Sequence, residues 1–505
     1  MSNTKRNKLI QAIFSVTGVI LVSKLFGFVK QMVVSSAFGA TLETDLINLS
    51  QAFIGDVQYI LVQVLLTSVI PIYIYLSQEG ENKTKQFVSD TIKVFTLITG
   101  GLMVALLCAA PLVSKIIAPT YSPEVSASLS NYLRFFSPGL LLFAWVAIFQ
   151  SLMNANKRFI PGEMIGLNQS VITIALVFLF KDLLGAQVLC VAFFAYAIFN
   201  AFYLGLLSKR YWRLSPGNPF ANENVKKLLK VIAPLLLGHS AIYINQQVNK
   251  ILVSGMAPGT VTSLGYAAVL SNLVLTFVVS FSSILFSYIT SHLSNGKQKQ
   301  AADLTKTTVT LMITALLPIS ILVIICAEDI VSIAFGRGAF GAESVRTAGL
   351  ALAGYGFSFV PVVLKEVFSR FLYSYQNTRT PSLNSVIGIG VNIGLSLLLY
   401  KPLGVFGVTL AASSAELVCG TLNMIAARKH NTFLRYRSML KYVPFLLAGG
   451  VVCLLIGKWA TGFWADASSI VRFAMATVLA FAGYFVVVSP LLYRLLKERK
   501  ELNNA

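Results

Sequence analysis

The chain has 505 residues, of which 56% are hydrophobic and only 12% charged, against about 25% charged in an ordinary soluble domain. With a mean hydropathy of +0.75, this excludes a soluble globular enzyme, a disordered chain and a fibrous protein, and predicts an all-α polytopic membrane protein. The net charge of +21, from 40 Lys and Arg against 19 Asp and Glu, is then explained by basic residues kept on the cytoplasmic side against anionic lipid, not by nucleic acid.

A spanning helix needs about 20 apolar residues. Apolar runs with short polar breaks predict about fourteen such helices, at 9–37, 46–76, 88–112, 130–152, 164–180, 184–208, 228–256, 263–291, 307–327, 346–372, 383–400, 404–427, 441–459 and 471–493. The runs lack the strict alternation of a membrane β-barrel. The first is too long for the apolar core of a signal peptide and is interrupted by Lys24 and Lys30, so it is expected to remain as a helix.

Basic residues set the expected orientation. The N-terminus, the loops on its face and the C-terminal tail hold 26 Lys and Arg, and the opposite loops hold seven. Both termini are therefore expected in the cytoplasm. A shift of 220 residues superposes Lys30 on Lys250, Gly39 on Gly259, Leu152 on Leu372 and Pro161 on Pro381. This predicts two parallel six-helix repeats related by an axis along the membrane normal. The expected organisation is an N-terminal lobe at 1–208, a basic cytoplasmic linker at 209–230, a C-terminal lobe at 231–430, and two further helices with a basic tail at 431–505.

Two repeated bundles form a transporter plan, with the site between halves. Charges inside the bilayer are costly and mark candidate sites. Lys24, Lys30, Lys250 and Lys365 are candidates for a cationic, substrate-binding cavity. Lys24 and Lys30 are six residues apart, about 9 Å along the axis and on different faces. Asp56, Glu366 and Glu416 are candidate coupling or pairing acids; the i, i+4 spacing of Glu366 and Arg370 suggests an intrahelical pair. Asp45 is expected to cap the second helix. Gly388, Gly390 and Gly394 suggest close helix packing, and Gly238-His239-Ser240 suggests a local break. The five cysteines, all in apolar runs, read as small core residues. No nucleotide loop, nucleophile motif or metal-ligand spacing occurs, so neither enzymatic activity nor a cofactor or metal is expected.

The stretch SKLFGFVKQMVVSSAFGATLETDLINLSQAF resembles the start of the MurJ/MviN family of lipid II flippases, whose pattern is roughly S-R-x-x-G-F-x-R-D, then F-G-A, then T-D. FLYSYQNTRTP is similar to that family's Y-x-x-x-D-T-x-T-P region, and the glycine run from Gly404 is similar too. The resemblance covers about residues 20–430. It implies a V-shaped fold like that of the multidrug and toxin exporters, with two extra helices forming a groove for a polyprenyl tail. It also places Lys24, Lys30 and Lys250 where the family has Arg, and Lys365 at a frequent Lys. Gln31 stands for the family's Asp. Val57, Gln58, Val62 and Gln63 replace an Arg pair and following Glu-Gly, and Val269 replaces a cavity Arg. Lys cannot fork onto phosphate as Arg does, so the cavity is expected to be positive but less so.

The resemblance implies a flippase carrying a polyprenyl-diphosphate-linked saccharide, lipid II foremost, across the bacterial cytoplasmic membrane by alternating access. Membrane potential or an ion would drive it, and its partners would be the lipid-linked glycan, membrane lipids and cell-wall synthesis proteins. Three alternatives stay open at this point: another undecaprenyl-linked glycan as cargo, a drug or cation antiporter of the same fold, and a non-transporting scaffold.

Overall fold

The structure is a computed structural model that describes the backbone of residues 3–504 and the side chains of 18–232, 235–236 and 247–494. Its helices, in chain order, are α1 (Asn3–Phe38), α2 (Leu42–Glu79), α3 (Glu81–Ile117), α4 (Pro123–Phe136), α5 (Gly139–Ala155), α6 (Ile160–Leu184), α7 (Val188–Leu207), α8 (Glu223–Ser254) and α9 (Thr260–Ser294). They continue with α10 (Gln298–Ile325), α11 (Ala327–Phe335), α12 (Ala342–Gly356), α13 (Phe359–Ser374), α14 (Arg379–His430), α15 (Arg437–Leu440), α16 (Val443–Phe463) and α17 (Ser469–Asn504). No strand occurs among the described residues. By length and apolarity, ten helical stretches can cross a membrane, or eleven if the bent pair α12–α13 counts as one.

Every predicted run is helical, but several boundaries differ for physical reasons. The run at 130–152 is two helices, because Pro138 has no amide to continue the ladder after α4. The run at 346–372 bends by 43° between α12 and α13. There Ser413 and Ser320 donate to the carbonyls of Gly354 and Gly356, and Pro361 withholds the next amide. Gly238-His239-Ser240 makes no break, since α8 runs unbroken through it; the side chain of His239 lies outside the described residues. Of Gly388, Gly390 and Gly394, only Gly388 has a close neighbour, with a Cβ position 3.4 Å from the Ala415 carbonyl. Cys108 is exposed, whereas Cys190, Cys326, Cys419 and Cys453 are buried.

Several backbone turns recur at, or one residue short of, the 220-residue spacing of the sequence repeat. Gly39 and Gly259 both take positive φ (63° and 88°). Gly185 and Gly404 share φ/ψ of 55°/−143° and 59°/−140°, a conformation open to glycine alone at little cost. Lys157 and Gln376 have φ of 60° and 57°, and their turns carry the same bonds. Arg158 N donates to Met153 O and Asn377 N to Leu372 O, at 2.9 and 3.1 Å. Met153, not Leu152, is thus the counterpart of Leu372 at this turn.

The chain divides into two compact units, 1–262 with 338–340, and 263–337 with 341–505. The first is centred on Leu65, Phe87, Phe95, Ile148 and Leu204. A second cluster there, around Phe136, Phe143 and Phe193, has rings in edge-to-face contact at 4.8–5.4 Å. In the second unit, Val363, Val367, Phe368 and Phe371 of α13 pack with Val309 of α10 and Ala427 of α14. The two C-terminal helices join this unit through Tyr484, whose hydroxyl donates to Thr314 O at 2.8 Å. Gly449 lets α16 approach Tyr484 and Val488. Phe178, Leu183, Phe277, Leu398 and Val486 are exposed, which suits hydrocarbon and not water.

The segment 209–222 is docked. Lys93 donates to the carbonyls of Ser215 and Gly217. Ser215 N donates to Ser89 Oγ at 2.9 Å, and Asn222 donates to the buried carboxylate of Asp90 at 2.9 Å.

Candidate functional site

In the first unit, α1 is fitted to α6 by small residues. Ser23 Oγ donates to Glu163 O at 3.3 Å, and a Cβ on Gly166 would lie 3.1 Å from that hydroxyl. On this helix Lys24 is exposed and Lys30 half-buried. Among the described residues neither ammonium has a carboxylate within ion-pair distance. Two cations thus stand on an apolar spanning helix without a carboxylate partner among the described residues.

Lys250 of α8 is different. Its Nζ stands 3.4 Å from Asp56 Oδ2 of α2, and the same oxygen accepts from Gln247 Nε2. Sequence reasoning offered Asp56 and Lys250 separately, and the structure brings them together. It also adds Gln247, which nothing in the sequence pattern singled out; its place one turn before Lys250 is the signal that was there.

The second unit holds the remaining candidates. Lys365 of α13 meets both oxygens of Glu416 of α14, at 2.9 and 3.0 Å. Glu366 lies 3.9 Å from Arg370 on the same helix. All three acids offered by the sequence are therefore paired with a base, one of them by the expected intrahelical spacing.

Asp45 does not cap its own helix. Thr41 and Thr44 form that cap reciprocally, at 3.3 and 2.8 Å. The Asp45 carboxylate, 2% exposed, instead accepts from Gly259 N and Thr262 N, both at 2.7 Å. Those amides open α9, so Asp45 caps a helix more than 200 residues further along the chain. Asn48 Nδ2 donates to Thr262 Oγ1 at 2.9 Å, and Ala339 N donates to Ser36 O at 2.8 Å. Gly39 and Gly259 are required here: a Cβ on either would lie 2.3 Å from a carbonyl oxygen, of Ala339 and Ala40 respectively. The outer ends of α1 and α2, in the sense of the expected orientation, are thereby fastened to the first turn of α9 and to residues 338–340. The sequence carried one trace of this, the Thr-Asp step after Phe-Gly-Ala, but no local pattern names a partner so distant.

One further pair lies apart from these. Arg472 of α17 forks onto Asp329 of α11, with its Nε at 2.9 and 2.8 Å from the two oxygens.

Comparison with known proteins gives the family and the fold. The family model described as lipid II flippase MurJ matches residues 34–473. The chain is 23% identical over 504 residues to a "Probable lipid II flippase MurJ" of Rhizobium tropici, covering 95% of this chain and 93% of that one. It is 26% identical over 392 residues to a protein of the same description from Buchnera aphidicola subsp. Schizaphis graminum, covering 75% of each. Its fold is similar to a solved lipid II flippase MurJ in an inward closed conformation, with a TM-score of 0.80 at 19% identity, over 95% of this chain and all of that one. An inward-facing multidrug resistance transporter of the MATE family is similar more distantly, with a TM-score of 0.62 at 11% identity over 84% of this chain. With a family match that spans most of its length, and an all-helical, multi-pass membrane fold to go with it, the chain belongs to the lipid II flippase MurJ family.

Proposed function

We propose that this protein is a flippase of the bacterial cytoplasmic membrane that carries lipid II, a polyprenyl-diphosphate-linked saccharide, from the cytoplasmic to the outer leaflet. The observation that carries the reading, together with family membership, is the pair of uncompensated ammonium groups on α1. A charge at the centre of a bilayer helix costs about 2.5–3.5 kcal/mol on insertion scales. Two such charges, with no carboxylate partner among the described residues, support a site whose neutralisation arrives with the cargo, and a diphosphate supplies it.

In this reading α1 presents Lys24 and Lys30 to the diphosphate, Lys250 joins them, and the polyprenyl tail stays in lipid along α16 and α17. The kinks at Gly185 and Gly404 divide two stretches of 48 and 52 residues, each far too long for one crossing. This division, with α8 as a further span, supports fourteen crossings. The recurring turns support two parallel six-helix repeats at 1–208 and 231–430, joined by the linker at 209–230 and followed by the extra pair at 431–505. Both termini are then cytoplasmic, and alternating access proceeds by motion of the repeats, biased by membrane potential or an ion. The antiporter alternative gains nothing from the structure, because Asp56, Glu366 and Glu416 are each taken up by a base. Cell-wall synthesis proteins are the partners this role calls for.

Complementation of a strain depleted of its own lipid II flippase tests the reading. Rescue by the wild-type chain, lost on Lys24→Ala or Lys30→Ala at equal membrane abundance, supports it. Rescue by both variants at the wild-type level would exclude the α1 site.

A further inference from the structure

The two interhelical Lys–carboxylate pairs differ in kind. The Lys365 ammonium lies 2.9 and 3.0 Å from the two oxygens of Glu416 and donates its hydrogen bond to one of them, Oε1. Lys250 and Asp56 stand 3.4 Å apart through a single oxygen, and Gln247 holds that same oxygen from the turn before. Both pairs are partly open, with side chains 22% and 18% exposed for Lys250 and Asp56 and 28% and 30% for Lys365 and Glu416, so the difference between them lies in contact length and in the donor that Gln247 adds. A long contact, made to an oxygen that a second donor already holds, is one that an incoming anion can exchange.

We propose that Asp56 is an internal stand-in for the cargo phosphate: it neutralises Lys250 while the site is empty, yields the ammonium to a diphosphate, and by competing for it speeds release. The inference rests on the reading of Lys24, Lys30 and Lys250 as a diphosphate site and adds a specificity-determining residue to it. Gln247 serves as the positioning residue, keeping the displaced carboxylate hydrogen-bonded so that it is not left bare in an apolar span. Exchange of one anion for another at a fixed cation avoids the cost of exposing an unpaired Lys250 at any stage.

Binding of farnesyl diphosphate to the purified full-length protein, with inorganic pyrophosphate as a second probe, tests this. Asp56→Asn keeps an acceptor for Gln247 but removes the competing charge. It is expected to bind farnesyl diphosphate about tenfold more tightly than the wild type and to flip lipid II more slowly in proteoliposomes. The gain should vanish in a Lys250→Gln background, as a pairwise competition requires. Asp56→Ser repeats the measurement if the Asn variant does not fold. Unchanged or weaker binding by Asp56→Asn, with the wild type binding normally, overturns the stand-in and leaves the site intact. Absence of binding by the wild type overturns the site reading itself. Equal gains for pyrophosphate and farnesyl diphosphate support recognition of the diphosphate alone; no gain for either would again overturn the stand-in.

Discussion

The lysines of α1 and the lysine of α13 resolve the same physical problem in opposite ways. Lys365 lies in an apolar helix and is neutralised by Glu416 of the neighbouring segment, at 2.9 Å. Lys24 and Lys30 lie in an equally apolar helix, and no carboxylate among the described residues answers them. A buried pair contributes little net stability, though removing one partner is costly. The first arrangement is therefore a fastening between helices, and the second, in the proposed reading, awaits the charge of the cargo. Lys250, loosely held by Asp56, stands between the two. A cation in a membrane protein is thus better read by its partner than by its position.

That contrast can be broken experimentally. The largest expected effect is at α1: Lys30→Ala should lower lipid II flipping at least 100-fold, measured in proteoliposomes, with a thermal midpoint near the wild-type value. Next comes Asp45→Ala, which strands two amides at the start of α9. It should cost about 2–3 kcal/mol of stability and reduce flipping with it, read by thermal unfolding in detergent. Asp45→Asn should recover part of that loss. Lys365→Met should cost about 1–3 kcal/mol by leaving Glu416 unpaired. The double variant Lys365→Met, Glu416→Gln should regain most of it and retain flipping. A double variant as inactive as Lys30→Ala would show that Lys365 serves the cargo after all, and the comparison would fail. The smallest effect is at Gly404, where φ of 59° makes Gly404→Ala cost about 1–2 kcal/mol with unchanged affinity for diphosphate.

Much of the fold was legible in the sequence because hydrophobic length is nearly sufficient for a membrane helix. Each predicted run, from 9–37 to 471–493, is helical. What length could not supply was the interior punctuation. Pro138 splits one run, and the Gly354–Pro361 region bends another, because a proline in an apolar stretch does not lower its hydropathy. The short α11 escaped notice since it follows α10 with only Cys326 between them. At the site, the residue types were legible and their partners were not. Lys250 and Asp56 are each conspicuous as a charge in an apolar run, yet they meet across 194 positions. Only the i, i+4 pair of Glu366 and Arg370 could be read locally. Asp45 shows the same limit from the other side: its place at a helix start suggested a cap correctly, but the cap belongs to another helix.

The reach of Asp45 also has a consequence for how the protein is made. Its two amide donors lie 214 and 217 residues downstream. At about 5–20 residues per second, the ribosome needs roughly 10–40 s to produce them after Asp45 itself. During that interval the nascent first unit holds an acidic side chain without its intended donors. A mutation that slows synthesis between α2 and α9 would lengthen that exposure and give membrane quality control more time to remove the chain.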